Sequence, residues 1–202
     1  MKAKVLFLLH LPPPIHGSSL IGKYIMESSI IRDAFDTTHL NLLASKSVQE
    51  TGKVTLRKLI NFIKLGLRLL RKLACKNPDL CYMALTVSGV AFYRDVVLVM
   101  LLKLFRVKIV YHLHHKGVSR KQNNKVYAFL CRYVVRDTDV ILLSNHLYTD
   151  IAAFVPNHSV HICPNGIPDM AFAKTKKRES ELVQLLFLAN LFEAKGVFVL
   201  LE

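Results

Sequence analysis

From residue 1 to about 162 the chain alternates short, continuously apolar runs with longer segments of helical periodicity, and this constrains the fold more than any other feature. A strand buried on both faces reads as an unbroken apolar run, and strands that alternate with helices pair in parallel. The spacing predicts strands over 4–9, 37–43, 80–85, 108–112, 140–143 and 159–162. Between them it predicts helices over 18–34, 55–75, 90–105, 121–135 and 147–154, the first of them capped by Ser18 or Ser19. An α/β domain with a parallel sheet follows. At 202 residues, 52% apolar, the chain can bury a real core, which argues against disorder.

Pro164-Asn165-Gly166-Ile167-Pro168 interrupts the pattern, and the charged stretch 174–181 reads as a linker. Residues 182–188 are apolar again, and Lys195-Gly196 opens a further helical pattern that stops with Glu202. The expected organisation is a domain over 1–163, a linker over 164–181, and the first strand and helix start of a truncated second domain over 182–202. No internal repeat or low-complexity tract is present.

Lysine and arginine outnumber aspartate and glutamate 28 to 14, a formal charge of +14, so anionic partners are expected: phosphate groups, nucleic acid or an acidic lipid surface. Cys75, Cys81, Cys131 and Cys163 form no Cys-x-x-Cys pair and have no histidine at metal-ligand spacing, which fits a reducing cytosol better than a zinc site or a disulfide framework. The apolar run over 5–11 is too short for a secretion signal, contains His10 and runs into prolines without an Ala-x-Ala site. The longest apolar run elsewhere, 96–102, falls far short of the roughly 20 residues that span a bilayer, so membrane contact is expected to be peripheral.

Three constellations carry chemistry. The loop Pro12-Pro13-Pro14-Ile15-His16-Gly17-Ser18-Ser19 follows the first strand, where open α/β sheets place their ligands. A glycine there admits close approach, and the next helix N-terminus offers amides to a phosphate or carboxylate, or the loop is simply a rigid turn with a serine cap. His112, His114 and His115 follow another strand, and alternation places His112 and His114 on one side. Imidazoles there, with protonation adjustable near neutral pH, suit a sugar hydroxyl or a diphosphate, or merely satisfy backbone groups. Metal binding is disfavoured because no carboxylate lies nearby in sequence. In the helix over 55–75, Leu56, Leu59, Ile60, Ile63, Leu67, Leu70 and Leu73 recur at helical spacing opposite Arg57, Lys64, Arg68 and Arg71, with Phe62, Leu65 and Leu69 widening the stripe. No acidic residue occurs between Thr51 and Pro78, so the helix suits either anionic lipid or ordinary core packing. Nucleic acid is not expected, since no basic and aromatic interleaving accompanies the charge. Asp137-Thr138-Asp139 imitates a metal-diphosphate motif but precedes its strand, and reads as a turn.

Taken in order, the Pro-Pro-Pro-Ile-His-Gly-Ser loop, Val110-Tyr111-His112-Leu113-His114-His115-Lys116-Gly117, Ile162-Cys163-Pro164-Asn165-Gly166-Ile167-Pro168, and Leu186-Phe187-Leu188-Ala189-Asn190-Leu191 with Lys195-Gly196 resemble the family-4 glycosyltransferases of the GT-B type. The resemblance covers essentially the whole chain. It implies a Rossmann-like parallel sheet as the N-terminal, acceptor-side domain of a two-domain enzyme, with the second Rossmann-like domain truncated. The implied reaction moves a sugar, with retained configuration and no metal or other cofactor, from a nucleotide-sugar donor to a glycan or lipid-linked acceptor in polysaccharide or glycolipid assembly. By the same resemblance His114 contacts the donor sugar, with His112 the runner-up. His16, Gly17, Ser18 and Ser19 line the cleft, and Lys195 and Asn190 stand at the phosphate site. The family commonly has Gly-Arg where this chain has Ala189-Asn190, and its acidic donor motif is absent, so little turnover is expected of the 202 residues alone. The implied location is cytoplasmic, peripheral on the inner membrane face. The alternative is a non-catalytic α/β binding module derived from such an enzyme. A nicotinamide enzyme is disfavoured because the Gly-x-Gly-x-x-Gly fingerprint is missing.

Overall fold

A computed structural model describes residues 2–42, 55–166, 186–188 and 196–201. The chain divides into two compact units, Met1–Gly166 and Ile167–Glu202. The first unit is a Rossmann-like α/β domain. Strands β1 (Lys4–Leu9), β2 (Asp36–Asn41), β3 (Leu80–Met83), β4 (Lys108–Leu113), β5 (Asp139–Leu142) and β6 (Val160–Ile162) form one sheet in the order β2-β1-β3-β4-β5-β6, with every pair parallel.

Helices α1 (Gly17–Glu27) and α2 (Ser29–Ala34) connect β1 to β2. Helices α3 (Leu56–Lys76), α4 (Gly89–Leu104), α5 (Lys125–Val135) and α6 (Tyr148–Ile151) precede β3, β4, β5 and β6 in turn. Because β2 and β3 lie on opposite sides of β1, right-handed crossovers put α1 and α2 on one face and α3 to α6 on the other. The core agrees. Val5, Phe7 and Leu9 pack with Ile25, Met26 and Ile31 on one face of β1, while Leu6 and Leu8 join the large cluster with Leu69, Phe92, Tyr127 and Ile151 on the other.

Several expected elements differ in detail: the strand expected over 80–85 ends at Met83, and the helix expected over 147–154 is the single turn Tyr148–Ile151. The helix expected over 18–34 is broken at Ser28, whose backbone is extended and whose hydroxyl accepts from the Ile31 amide at 3.3 Å, closing α1 and capping α2. The helix expected from 121 begins at Lys125 after a single 3₁₀ turn, Ser119–Lys121, because the Asn124 side chain caps it by accepting from the Tyr127 amide at 3.0 Å. Asp137 takes a positive φ of 57° just ahead of β5, as a helix-to-strand turn requires.

The α3 stripe divides differently from the sequence pattern. Leu65, Leu69 and Leu73 are buried and Phe62 packs against the core, so the three residues expected only to widen the stripe, together with Leu73 of the stripe itself, seat the helix. Leu56, Leu59, Ile60, Ile63 and Leu67 face solvent. The second unit contains α7 (Val197–Leu201), which follows Gly196 at φ 79°. Residues 186–188 of the strand expected over 182–188 belong to neither helix nor strand, and the rest of it lies outside the described residues.

Candidate functional site

In a sheet of this order the chain leaves β1 for β2 on one side and later returns to β3 on the other, opening a crevice at the carboxyl ends of β1 and β3. The β1–α1 loop and the ends of β3 and β4 meet there. His10, directly after β1, is buried, and its Nδ1 lies 2.9 Å from the Ser18 hydroxyl. Burial lowers its pKa to about 3, helped by the Arg94 charge and by His16, His115 and His114, which therefore share its surroundings.

His16, not Ser18 or Ser19, is the N-cap of α1, which corrects the sequence expectation. Its Nδ1 accepts from the Ser19 amide at 3.3 Å while its own amide donates to the Ser19 hydroxyl at 3.0 Å, a capping box with imidazole in place of a hydroxyl. Ser19 cannot serve as the cap because it lies one turn in, fully buried, with its hydroxyl 2.9 Å from the carbonyls of Pro14 and His16. It holds the loop together. Ser18 is buried between the two imidazoles, 3.4 Å from His16 Nδ1. Helix geometry leaves the first amides of α1, those of Gly17 and Ser18, directed out of this end. Gly17 is exposed, and a Cβ on it would meet nothing within 4 Å. The glycine that close packing demands is Gly22, where a Cβ would overlap the carbonyl oxygen of His10.

His112 and His114 stand side by side, ring centroids 4.2 Å apart. His112 is buried, and the Tyr82 hydroxyl is hydrogen-bonded to its Nδ1. Burial raises the Tyr82 pKa, with a smaller push from Cys163, so the phenol stays protonated. Burial lowers His112 to about 4 and His114 to about 3, the latter helped by His112, His115 and His16. Nε2 of His112 and Nδ1 of His114 are shut off from solvent and have no hydrogen-bond partner. Nε2 of His39 on β2 is in the same state, so what sets His112 and His114 apart is that two such rings lie side by side at the carboxyl end of the sheet. At neutral pH both rings are uncharged, fit to exchange hydrogen bonds with hydroxyl groups and unfit to neutralise a phosphate.

Three supports were not legible in sequence. The loop carrying His114 and His115 ends at Gly117, φ 141°, and is pinned by buried Asp150 of α6, whose carboxylate accepts from the amides of Gly117 (2.7 Å), Val118 (2.9 Å) and Ser119 (3.2 Å) and from the Ser119 hydroxyl (2.6 Å). Burial alone would raise the Asp150 pKa, but these bonds hold it below the usual carboxylate value. Arg94 of α4 donates to the Leu42 carbonyl at 2.8 Å and pairs with fully buried Asp95, which also accepts from the Thr86 amide at 3.0 Å. Burial pushes the Asp95 carboxyl up against the opposing pull of Arg94. Arg94 thereby ties the ends of β2 and β3 to α4 behind His10. Tyr82, reached from His39 through Phe7 by ring contacts of 5.2 and 5.5 Å, links β2, β1, β3 and His112 of β4 into one row.

Asn190 and Lys195 lie outside the described residues. Arg57, Lys64, Arg68 and Arg71 are exposed on α3. Among the described residues no group of three or more His, Cys, Asp or Glu side chains could hold a metal ion, and no helix is long and apolar enough to cross a membrane. A void of about 20 Å³ between the sheet and α4 and α5 is lined by apolar residues such as Leu85, Phe92 and Tyr111, and is separate from the crevice.

The fold defines a Rossmann-like α/β protein with histidines clustered at the carboxyl end of its sheet. No protein-family model, no curated protein and no solved structure matches the chain.

Proposed function

We propose that the chain is the acceptor-side part of a retaining glycosyltransferase that takes a nucleotide-sugar donor, with the crevice holding the sugar being moved. The observation that carries this reading is the adjacent pair of neutral imidazoles, buried His112 and half-buried His114, whose Nε2 (His112) and Nδ1 (His114) have no hydrogen-bond partner. Paired neutral donors and acceptors suit the hydroxyls of a sugar. With pKa values near 4 and 3 the two rings are poor bases at neutral pH. His114 therefore contacts and orients the sugar rather than taking its proton, and His112 supports it from the Tyr82 side.

The outward amides of Gly17 and Ser18 are suited to an anionic oxygen of the donor, since a helix N-terminus carries partial positive charge. Positive charge for the diphosphate, which leaves as an anion, is assigned by family resemblance to Lys195, with Asn190 a neutral contact at the same phosphate site. The acceptor is a glycan or lipid-linked glycan, and the protein works in the cytoplasm, peripheral on the inner membrane face. A binding module that keeps this crevice without turning over is the other outcome.

The test is histidine-selective NMR of the chain titrated with a uridine or guanosine diphosphate hexose and, separately, with NAD. The nucleotide sugar is expected to shift the imidazole signals of His112 and His114 and to lose that effect in Gly17→Val, which fills the open side of the crevice. Equal or larger shifts with NAD, or none with any sugar nucleotide, would overturn the reading. Transfer to an added acceptor separates the enzyme from the binding module.

A further inference from the structure

We infer that the outer surface of α3 and α4 is the membrane-docking face of the protein, and that its partner is the surface of an anionic lipid bilayer. This deepens the peripheral location proposed above and does not depend on which ligand the crevice takes.

The surface is apolar where a solvated surface should not be. On α3, Leu56, Leu59, Ile60, Ile63 and Leu67 form a stripe along one side, with Leu56 73% and Leu67 61% exposed. On α4, Val90, Tyr93, Val97, Met100 and Leu104 recur at steps of three and four residues and are also exposed, although the opposite side of that helix is buried through Phe92, Val96 and Val99. A helix apolar all round belongs in an interior or against another apolar phase. α3 packs beside α4, and α4 beside α5, where Val126 and Phe129 extend the exposed apolar area.

The order of faces around α3 joins the two stripes. At about 100° per residue, the buried side (Leu65, Leu69, Leu73) is followed in one direction by Lys72 and then by Arg68, Lys64 and Arg71, and in the other by Gly66 and then by the exposed leucines and isoleucines. Lys72 and Lys76 line a recess with Asp36 and Thr38 of β2, so the basic flank lies toward the β2 edge and the apolar stripe toward α4. The result is one apolar band over two helices with a basic rim.

Charge selects the occupant. Between Thr51 and Arg136 the only carboxylates are Asp79 and Asp95, and Asp95 is fully buried against Arg94. α3 and α5 contain no carboxylate at all, so the positive charge of the chain concentrates on this layer. A second copy would bring the same basic rim against itself. Single-stranded nucleic acid would call for aromatic stacking platforms, whereas the band is almost wholly aliphatic. Aliphatic side chains beside lysine and arginine match the acyl boundary and anionic headgroups of a bilayer, with α3 lying in the interface plane.

The test is flotation of the full chain with vesicles of phosphatidylcholine alone and of phosphatidylcholine containing phosphatidylglycerol, at low and high salt. Binding is expected only to the anionic vesicles, and to weaken with salt. R68Q with R71Q should lower partition roughly thirtyfold, about 1 kcal/mol for each charge. V97Q with M100Q on α4 should lower it at least tenfold, while I30Q on the far side of the sheet leaves it unchanged. Circular dichroism establishes that each variant is folded, and the arginine pair decides if the α4 pair is not. Equal binding by all variants, or no flotation by the unmodified chain, overturns the inference, and a soluble dimer lost in V97Q/M100Q would assign the face to a second copy. Histidine shifts with sugar nucleotides read the crevice separately, so either reading can fail alone.

Discussion

Gly22 of α1 packs against the backbone carbonyl of His10 so closely that a side chain on it would overlap the oxygen. This contact sets how near α1 comes to the end of β1, and hence how the His16 cap, Ser18 and His10 meet. Gly22→Ala forces the backbone to shift and is expected to cost about 1–3 kcal/mol, as overpacking does. Gly17→Ala, whose Cβ enters open space, should change stability by less than about 0.5 kcal/mol. Urea denaturation of the two variants checks the contrast.

Tyr82→Phe removes the partner of His112 Nδ1 and leaves a buried imidazole with both nitrogens unsatisfied. Stranding such a group costs about 1–3 kcal/mol. The loss should appear in denaturant unfolding and be accompanied by a changed nitrogen shift of the His112 ring. An unchanged ring signal would remove the hydrogen bond from the account.

Asp150→Ala strands three backbone amides in the loop that carries His114. Hydrogen exchange at Gly117, Val118 and Ser119 should quicken by an order of magnitude or more, in line with about 1–3 kcal/mol for lost acceptors, while β1 and β3 stay protected. Because the folded carboxyl lies below its ordinary value, its contribution is present above the unfolded pKa near 3.9 and is lost as pH falls through that range.

His10, His112 and His114 act in a different window. Their folded pKa values, about 3, 4 and 3, lie below the ordinary 6.5, so in that interval the unfolded chain binds more protons than the folded one. Stability should therefore be flat above about pH 7 and fall as pH drops from about 6.5 toward 4. Melting temperature against pH measures it, and His10→Gln should flatten part of the slope.

The linear pattern of residues determined the fold class, because a sheet buried on both faces demands apolar strands such as 4–9 and 140–142, and those runs are visible without contacts. It also determined that His112 and His114 fall on one side of a strand end, since alternation is a local property. Tertiary structure alone decided which leucines of α3 meet the core, because two apolar stripes of similar composition differ only in which one the sheet reaches. It decided that Gly22 and not Gly17 is the packing glycine, because that depends on where the His10 carbonyl after β1 comes to rest; the His16 cap is local to its own turn and escaped the sequence reading because an imidazole stands where a hydroxyl usually caps. Asp150, Arg94 and Tyr82 were silent in the sequence for the same reason: their partners lie 31 to 33, 52 and 30 residues away and are brought near only when the strands pair.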